Sequence, residues 1–308
     1  MDIMKRIQRC GIIPVIKLNT PEEAVPLCNA LYAGGIDVAE ITFRSDAAKE
    51  GIAHVCSELP GVLAGAGTVT NLDQAKAAAD AGAKFIVTPG FSKAIVGYCI
   101  DNGLPVVPGC SSPTDMQALL ESGLLVAKFF PAESLGGLST LKAISAPYHM
   151  LKFIPTGGIN AQNIGQYLRY EKVLACGGSW MVPNPLVQEQ RYGEITALSA
   201  QAVASLHGFS ISRIVLHAQE EQKAHTARGL LASLFPQPAA SLNACPIEVS
   251  NSPAQSQIHI RCNQIERALA YLQDKGVGVR ADGIEGDAGS VVLDAELCGF
   301  SLCLSGAS

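Results

Sequence analysis

The first 208 residues alternate short apolar runs with stretches of helical periodicity, and this alternation constrains the fold more than any other feature. A short apolar run bounded by turn residues is typical of a strand buried on both faces of a parallel sheet. Helix start signals lie between the runs, for example Asn160 with Asn163. The predicted strands are 12–18, 36–42, 62–66, 85–88, 105–108, 125–130, 152–155 and 173–176, and the last helix is 193–206. Eight such units predict an α/β fold, a small (β/α)₈ TIM barrel.

Composition narrows the partners that such a barrel could have. The chain has 308 residues, of which 48% are hydrophobic and 16% charged, and its formal net charge is -5. Since no basic cluster could neutralise phosphates, we expect neither nucleic acid nor an anionic membrane as a partner. No apolar run of about 18 residues and no secretory h-region occurs, so we expect a cytoplasmic protein. The ten cysteines form no C-x-x-C pair, which predicts reduced, mostly buried thiols.

A single lysine interrupts the apolar sixth strand. Lys128 lies within the run 124–133, which reads LLVAKFFPAE. Burial of an unpaired ammonium disfavours its charged form. A neutral amine attacks carbonyl carbons, so Lys128 is a candidate Schiff-base lysine. The alternative is a lysine whose stem runs along apolar surface while its ammonium stays in water.

In a (β/α)₈ barrel the chemistry lies at the C-terminal ends of the strands. The second strand ends with Glu40 and Thr42 on one face and Arg44 just beyond them. This pattern predicts a proton-transferring carboxylate and a clamp for a substrate carboxylate, with a local salt bridge as the alternative. The third strand ends in a glycine-rich segment with the hydroxyl of Thr68. The ends 88–90 and 108–112 are equally compatible with simple turns.

Paired glycines follow the last two predicted strands. Gly157 and Gly158 follow strand 152–155, and Gly177 and Gly178 follow strand 173–176. One such pair is more typical of a turn. Two pairs at these strand ends favour phosphate binding through backbone N–H groups and a helix N-terminus, as barrels of this kind often show.

Taken together, these segments resemble one family, the 2-keto-3-deoxy-6-phosphogluconate/4-hydroxy-2-oxoglutarate aldolases, which are class I pyruvate aldolases on a small (β/α)₈ barrel. The resemblance covers about the first 208 residues. It rests on 13–16 (IPVI), 33–36 (AGGI), 40–44 (EITFR), 65–69 (GAGTV), 108–109 (PG), 128–133 (KFFPAE), 155–159 (PTGGI) and 177–180 (GGSW). It implies a carbon–carbon lyase of Entner–Doudoroff carbohydrate metabolism. The products would be pyruvate with glyceraldehyde 3-phosphate from the phosphorylated sugar acid, or pyruvate with glyoxylate from 4-hydroxy-2-oxoglutarate.

The resemblance also implies a role for each candidate residue, and a homotrimer of barrels. Lys128 would form the imine with the C2 ketone, and Glu40 would be the general acid/base. The remaining residues would contact the substrate: Arg44 and Thr68 its carboxylate, Phe130 and Pro89 its pocket, and Thr156, Gly157, Gly158, Gly178 and Ser179 its distal phosphate. The protonated imine accepts the electrons of the broken bond, so we expect no cofactor and no metal. His54, His149 and His207 are predicted surface residues.

Residues 209–308 show a different pattern, which predicts a small α+β domain. Its predicted elements are strand 211–217, helix 220–234, a Pro- and Ala-rich connection 236–246, strand 258–261, helix 264–276, and strands 290–293 and 300–304. Their order, with segment 263–277, resembles a glyoxalase-like (vicinal oxygen chelate) domain. That family's metal site uses His and Glu on strands. Here His217 and His259 are present, but strand 300–304 has no carboxylate, so we predict no metal. Assembly and binding of a small regulator both stay open as its role.

Two alternatives accompany the aldolase hypothesis. One is an aldolase for an epimeric phospho-sugar acid of the phosphogalactonate type, which would share the catalytic residues. The other is a non-catalytic sugar-phosphate-binding regulator, because this barrel hosts many functions. A regulator would bind phosphate esters without forming an imine, and it has no use for a lysine buried between Ala127 and Phe129.

Overall fold

The chain is divided into two units, Met1–Leu206 and His207–Ser308. Eight short parallel strands form the core of the first unit. The structure, a computed structural model, describes residues 2–234, 247–252, 254–280 and 290–306. The strands are β1 Ile12–Ile16, β2 Val38–Thr42, β3 Leu63–Gly67, β4 Ile86–Val87, β5 Val106–Val107, β6 Val126–Phe129, β7 Lys152–Pro155 and β8 Cys176–Gly178. The helices are α1 Ile3–Cys10, α2 Ala24–Ala33, α3 Ala47–Glu58, α4 Leu72–Asp80, α5 Lys93–Asp101, α6 Pro113–Glu121, α7 Gly137–Ser145, α8 Ile164–Leu168, α9 Asn184–Gln188 and α10 Tyr192–His207. None of the described helices has the length and apolar character needed to cross a membrane.

The strands close into a ring. Six of them form one sheet in the order β5-β4-β3-β2-β1-β8, and β6 and β7 form another. Parallel bridges from Gly109 to Lys128 and from Thr156 to Gly177 join the two sheets. At the first bridge, the N–H of Lys128 donates to the Pro108 carbonyl and its own carbonyl accepts from the Cys110 N–H, each at 2.8 Å. The predicted (β/α)₈ barrel is therefore confirmed, and the main chain of Lys128 is part of its closure.

The eighth strand is shifted from its predicted position. Residues 173–176 are buried as expected, but Val173 contributes only an isolated bridge to Phe153. The strand itself includes Gly177 and Gly178, which pair with Ile13 and Pro14 of β1. The prediction that this glycine pair is a turn after the strand was wrong. A Cβ on Gly177 would lie 2.3 Å from the Thr156 Oγ1, so close strand approach explains the glycine here.

Helix α1, which the sequence pattern did not predict, covers one end of the barrel core. Asp2 begins it by accepting a hydrogen bond from the Met4 N–H, and Gly11 ends it at φ 72°. Ile7 is fully buried and belongs to the core cluster formed by residues of the barrel strands. The Arg6 Nε lies 2.8 Å from Asp37 Oδ2, which fixes the helix to the start of β2.

The C-terminal unit contains one six-stranded mixed sheet in the order β10-β9-β11-β14-β13-β12. Its elements are β9 Ser210–Ala218, α11 Glu221–Leu234, β10 Ile247–Asn251, β11 Gln257–Cys262, α12 Ile265–Asp274, β12 Gly278–Val279, β13 Ser290–Leu297 and β14 Phe300–Gly306. Helix α12 buries Ala268 against Cys262, Leu293 and Leu304. The predicted sheet-rich second region is thus present, with β10 and β12 as additional strands, and the predicted connection 236–246 lies outside the described residues. The glyoxalase-like assignment of 209–308 stays a prediction.

Within the parts of the chain that the structure describes, no group of three or more His, Cys, Asp or Glu side chains is arranged to hold a metal ion. The ring of His259 instead has its Nε2 3.1 Å from Gln257 Oε1. Among the described residues, the buried Nδ1 atom of His217 has no hydrogen-bond partner.

His207 is buried, contrary to its predicted surface position. Its exposed fraction is 3%, and its ring lies 5.2 Å from that of Phe209 and 4.4 Å from that of Tyr271. Burial, together with the nearby positive charge of Arg267, lowers the pKa of His207 from 6.5 to about 4. The aromatic neighbours favour the neutral imidazole, so His207 belongs to the core of the C-terminal unit.

We expect the C-terminal unit to lose stability on acidification. Between pH 6.5 and about 4 the unfolded chain binds a proton at His207 that the folded chain does not, so the free energy of unfolding falls as pH falls. One pKa unit corresponds to about 1.4 kcal/mol, which gives a loss of up to about 3 kcal/mol. Urea unfolding of the full chain at pH 7 and pH 4 would measure it. His207→Phe should reduce this difference between pH 7 and pH 4, whereas His225→Phe, at an exposed position, should not. The same difference in the wild type and in both variants would contradict the prediction.

Candidate active site

Lys128 and Glu40 meet inside the barrel. Lys128 Nζ lies 3.3 Å from Glu40 Oε1, and the two residues are 4% and 2% exposed. The lysine head group is therefore not in water, which removes the alternative of a surface lysine. The Lys128 ammonium is paired with a carboxylate, a partner that the sequence did not predict for it. A buried amine beside a carboxylate can pass it a proton and then act as a nucleophile.

Glycine at position 67 makes room for the carboxylate. Gly67 lies opposite Thr42 in the β2–β3 register, one strand away from Glu40. A Cβ at this position would lie 2.1 Å from Glu40 Oε1 and 2.4 Å from its Cγ. Real atoms do not approach so closely, so any side chain here would displace the Glu40 carboxylate.

Phe130 directly follows the strand of Lys128, and Pro89 lies close to Gly109, which is bridged to Lys128. The ring centroid of Phe130 is 5.2 Å from Lys128 Nζ, within the range of a cation–π contact. Gly109, which forms a bridge with Lys128, closely approaches Pro89, because a Cβ on it would lie 2.1 Å from the Pro89 carbonyl oxygen. The segments that carry both predicted pocket residues are thus adjacent to the lysine.

Arg44 is exposed just beyond β2. Its Nε donates to Thr42 Oγ1 at 3.2 Å, and Thr42 Oγ1 donates to the Ile16 carbonyl at 2.7 Å. No described carboxylate forms an ion pair with Arg44, and Glu40 pairs with Lys128 instead. The structure therefore does not contain the local salt bridge that the sequence left open.

Thr68 has a strained main chain. Its φ is +54°, a left-handed conformation that β-branched residues rarely adopt. Hydrogen bonds on both sides hold it there: the Gly67 carbonyl accepts from the Phe43 N–H at 2.8 Å, and the Val69 N–H donates to Val87 at 3.2 Å. Such strain is commonly retained where a side chain or N–H group must face a site.

The predicted phosphate residues come together at the ends of β7 and β8. Thr156 is bridged to Gly177, so the Gly157-Gly158 turn lies beside Gly178 and the exposed Ser179. Both glycines of the turn have positive φ, 97° and 80°. Helix α8 begins only at Ile164, so the expected helix N-terminus does not follow the turn directly.

Four residues around this turn were missed as functional candidates. Asn160 and Asn163 were interpreted only as a helix start, and Glu133 and Tyr167 received no role. Both asparagine side chains in fact donate to the Gly158 carbonyl, and the Tyr167 hydroxyl donates to Glu133. The spacing Gly-Gly-x-Asn-x-x-Asn was the available signal, because two amides so close to a glycine turn can bind its main chain.

With the geometry established, comparison with known proteins identifies the family. The profile described as "Aldolase: KDPG and KHG aldolase" matches residues 3–198. The chain belongs to this family. A KDPG/KHG aldolase is a lyase, in agreement with the chemistry that a buried lysine and carboxylate can perform.

Individual KDPG/KHG aldolases match the chain over nearly their whole length. The 2-dehydro-3-deoxy-phosphogluconate aldolase of Treponema pallidum (strain Nichols) is 45% identical over 203 residues, 66% of this chain and 97% of the relative. The KHG/KDPG aldolase of Escherichia coli (strain K12) is 38% identical over 192 residues, 62% of this chain and 90% of the relative. The crystal structure of Legionella pneumophila KDPG aldolase, with pyruvate captured at low pH as a covalent carbinolamine intermediate, is 36% identical with a TM-score of 0.63. It covers 66% of this chain and 98% of its own.

Gly67→Ala is expected to lower the kcat of this aldolase by about 10²-fold, the cost of displacing a catalytic group by about 1 Å. The reason is the overlap of the new methyl group with the Glu40 carboxylate. Gly97→Ala is a matched control, since a Cβ on this glycine of α5 contacts nothing within 4 Å. Kinetic assays of both variants, with thermal unfolding to confirm folding, would test this. Wild-type kcat in folded Gly67→Ala would show that the carboxylate position is unimportant.

Proposed function

We propose that the protein is a class I aldolase that cleaves 2-keto-3-deoxy-6-phosphogluconate to pyruvate and glyceraldehyde 3-phosphate, 4-hydroxy-2-oxoglutarate to pyruvate and glyoxylate, or both. The observation that carries this proposal is the buried Lys128–Glu40 pair at 3.3 Å. The names of its relatives, 2-dehydro-3-deoxy-phosphogluconate aldolase and KHG/KDPG aldolase, support the choice of substrates.

The reaction begins when Glu40 accepts a proton from the Lys128 ammonium across the 3.3 Å contact. The resulting amine attacks the C2 ketone, and a proton moves from its nitrogen to the ketone oxygen to give a carbinolamine. Glu40 returns its proton to the carbinolamine hydroxyl, which leaves as water, so that a protonated imine forms and Glu40 is again a carboxylate. The imine carbon C2 is bonded to C3, so the positive nitrogen can accept, through the C2–C3 bond, the electron pair of the bond that breaks.

Cleavage then requires proton transfer at C4 and at C3. Glu40 takes the proton of the C4 hydroxyl as the C3–C4 bond breaks, and the bond's electron pair moves through C3 to the imine nitrogen to give an enamine. The aldehyde leaves, and Glu40 returns its proton to C3. Water hydrolyses the imine and releases pyruvate. One carboxylate serves both transfers, because C3 and the C4 hydroxyl belong to neighbouring carbons of the substrate.

The remaining residues bind the two ends of the substrate in this proposal. Arg44 holds the substrate carboxylate through its planar guanidinium, with help from Thr68. Phe130 and Pro89 flank the imine. The distal phosphate is held by the residues gathered at the ends of β7 and β8: Thr156, Gly157, Gly158, Gly178 and Ser179. The positive φ values of the turn support this, since such glycine turns direct N–H groups at anions.

The test is to incubate the purified full chain with pyruvate and borohydride, which reduces an imine to a stable amine, and to measure its intact mass. Pyruvate release from the phosphogluconate-type acid, its galactonate epimer and 4-hydroxy-2-oxoglutarate is assayed in parallel. An adduct with turnover supports the aldolase, and the preferred acid separates it from an epimer-specific enzyme. A folded protein that binds phosphate esters but gives neither adduct nor pyruvate is instead a regulator.

The homotrimer and the cytoplasmic location belong to the same proposal. Both rest on the family resemblance and on the overall composition of the chain. Sedimentation of the full chain at several concentrations would test the trimer, with a concentration-independent monomer as the contradicting result.

A further inference from the structure

Three successive carbonyl groups at the end of β7 each accept hydrogen bonds from a fixed donor. The bonds run from Ala132 N–H to Thr156 O (2.8 Å), from Glu133 N–H to Gly157 O (3.1 Å), and from Asn160 Nδ2 (3.3 Å) and Asn163 Nδ2 (3.0 Å) to Gly158 O. In a trans peptide the N–H points opposite to the C=O. The N–H groups of Gly157, Gly158 and Ile159 therefore point away from these donors. No residue in the described parts of the chain accepts a hydrogen bond from any of the three.

The two asparagines fix each other's amide orientation. The Asn160 N–H donates to Asn163 Oδ1 at 2.8 Å, and the Asn163 N–H donates to Asn160 Oδ1 at 3.2 Å. Because each Oδ1 is used as an acceptor, each Nδ2 is left as a donor, and both reach the same Gly158 carbonyl. The peptide group between Gly158 and Ile159 is thus held by two side chains of the segment that follows the turn.

Glu133 and Tyr167 hold the other side. The Glu133 side chain lies directly against the turn, because a Cβ on Gly158 would be 2.6 Å from its Cβ and Cγ. Its carboxylate, which would repel a phosphate if it swung freely, accepts a hydrogen bond from the Tyr167 hydroxyl. Burial, and then the bond to Glu133, raise the pKa of Tyr167, so its hydroxyl remains a donor.

We propose that Asn160 and Asn163 are positioning residues that orient the Gly157-Gly158 turn so that its main-chain N–H groups bind the distal phosphate of the substrate. This inference rests on the proposed function and adds two residues that contact neither the reacting carbons nor the imine. With a carbonyl turned inward at Gly158, the site would present an oxygen to the phosphate instead of a donor. The asparagines prevent that inversion.

The decisive variant is Asn163→Leu, which is similar in size and uncharged but cannot donate. We expect the KM for the phosphorylated acid to rise roughly 2- to 10-fold, the range for one net hydrogen bond, while kcat stays within about 2-fold. Exchange of the pyruvate methyl protons with deuterium, which reports imine and enamine formation without a phosphate, should be unchanged. Asn160→Ser, which keeps an oxygen for the local main-chain bonds, should show a smaller rise in KM.

Asn102→Leu is the matched control, because Asn102 Nδ2 also donates to a main-chain carbonyl, that of Tyr98 at 2.8 Å, at the exposed end of α5. It should leave the KM unchanged. Rates are normalised to the number of sites that trap pyruvate, so an incompletely folded sample does not imitate a binding defect. An unchanged KM in both turn variants, or an equal loss of cleavage and of pyruvate exchange, would overturn the inference. Absence of pyruvate trapping in the wild type would instead refute the proposed function.

Discussion

Lys128→Met is expected to abolish the trapped pyruvate adduct and to lower kcat/KM on the order of 10⁴-fold or more. Methionine fills the buried strand position but offers no amine, so no imine forms and the electrons of the C3–C4 bond have no acceptor. Peptide mass analysis after borohydride treatment, with pyruvate-release kinetics, would measure both effects. In the wild type the adduct should lie on the peptide that contains Lys128.

A second buried lysine provides the control. Lys172 is 8% exposed, and its Nζ donates to the carbonyls of Ser145 at 2.6 Å and Tyr148 at 3.3 Å. This ammonium stabilises the end of α7, and no carboxylate in the described parts of the chain forms an ion pair with it. Lys172→Met should therefore be less stable but should trap pyruvate fully in its folded fraction. A wild-type amount of trapped pyruvate in Lys128→Met would show that another residue is the nucleophile and would refute the mechanism.

Glu40→Gln is expected to slow cleavage by about 10²- to 10⁴-fold, the usual contribution of a general acid/base. Glutamine has nearly the same shape and fits the space above Gly67, but it cannot take up a proton. The imine should still form with pyruvate, more slowly, because Lys128 must lose its proton to water. The measurement is the ratio of cleavage rate to trapping rate.

Glu50→Gln, an exposed carboxylate on α3, is the comparison for the charge change alone and should keep wild-type kinetics. If Glu40→Gln cleaves within about threefold of the wild type, another group transfers the protons. If it loses trapping and cleavage equally, Glu40 acts only in making the amine available. Comparison of the trapping and cleavage rates of Glu40→Gln thus separates proton transfer during cleavage from release of the Lys128 amine, with Glu50→Gln as the control for charge.

The sequence was sufficient to predict the barrel, because strand–helix alternation is a local property that tertiary context rarely reverses. It placed β7 at its observed bounds and β6 within one residue of them. It misplaced β8, because glycines contribute no apolar signal although they are the residues that permit close strand approach there. Helix α1 was missed because its apolar residues, such as Ile7, interrupt a charged segment that shows no long period.

The sequence named candidate site residues one by one but not their arrangement. Lys128 and Glu40 are 88 residues apart in the chain, and no periodicity links them. The sequence therefore offered no partner for Lys128, and for Glu40 it left open only a local salt bridge with Arg44 beside the predicted role in proton transfer. The asparagines at the turn were interpreted by their commonest role, a helix start, because side chain to main-chain bonds depend on where a glycine carbonyl points. His207 was misassigned for a similar reason, since its aromatic partner Tyr271 is remote in sequence.

Because the ring closes at Lys128, the proposed nucleophile is part of one of the two junctions between the sheets of the barrel. On this side of the ring, the bridge between Lys128 and Gly109 joins the β6–β7 sheet to the six-stranded sheet. In the proposed mechanism this junction fixes the main chain that carries the amine, so we expect an incompletely closed barrel not to trap pyruvate. The amount of pyruvate trapped at successive times can therefore be used to follow refolding of the barrel. We expect new chain ends made by circular permutation between β5 and β6 to weaken this junction, because they remove the covalent connection across it, whereas ends on the opposite side of the ring keep that connection.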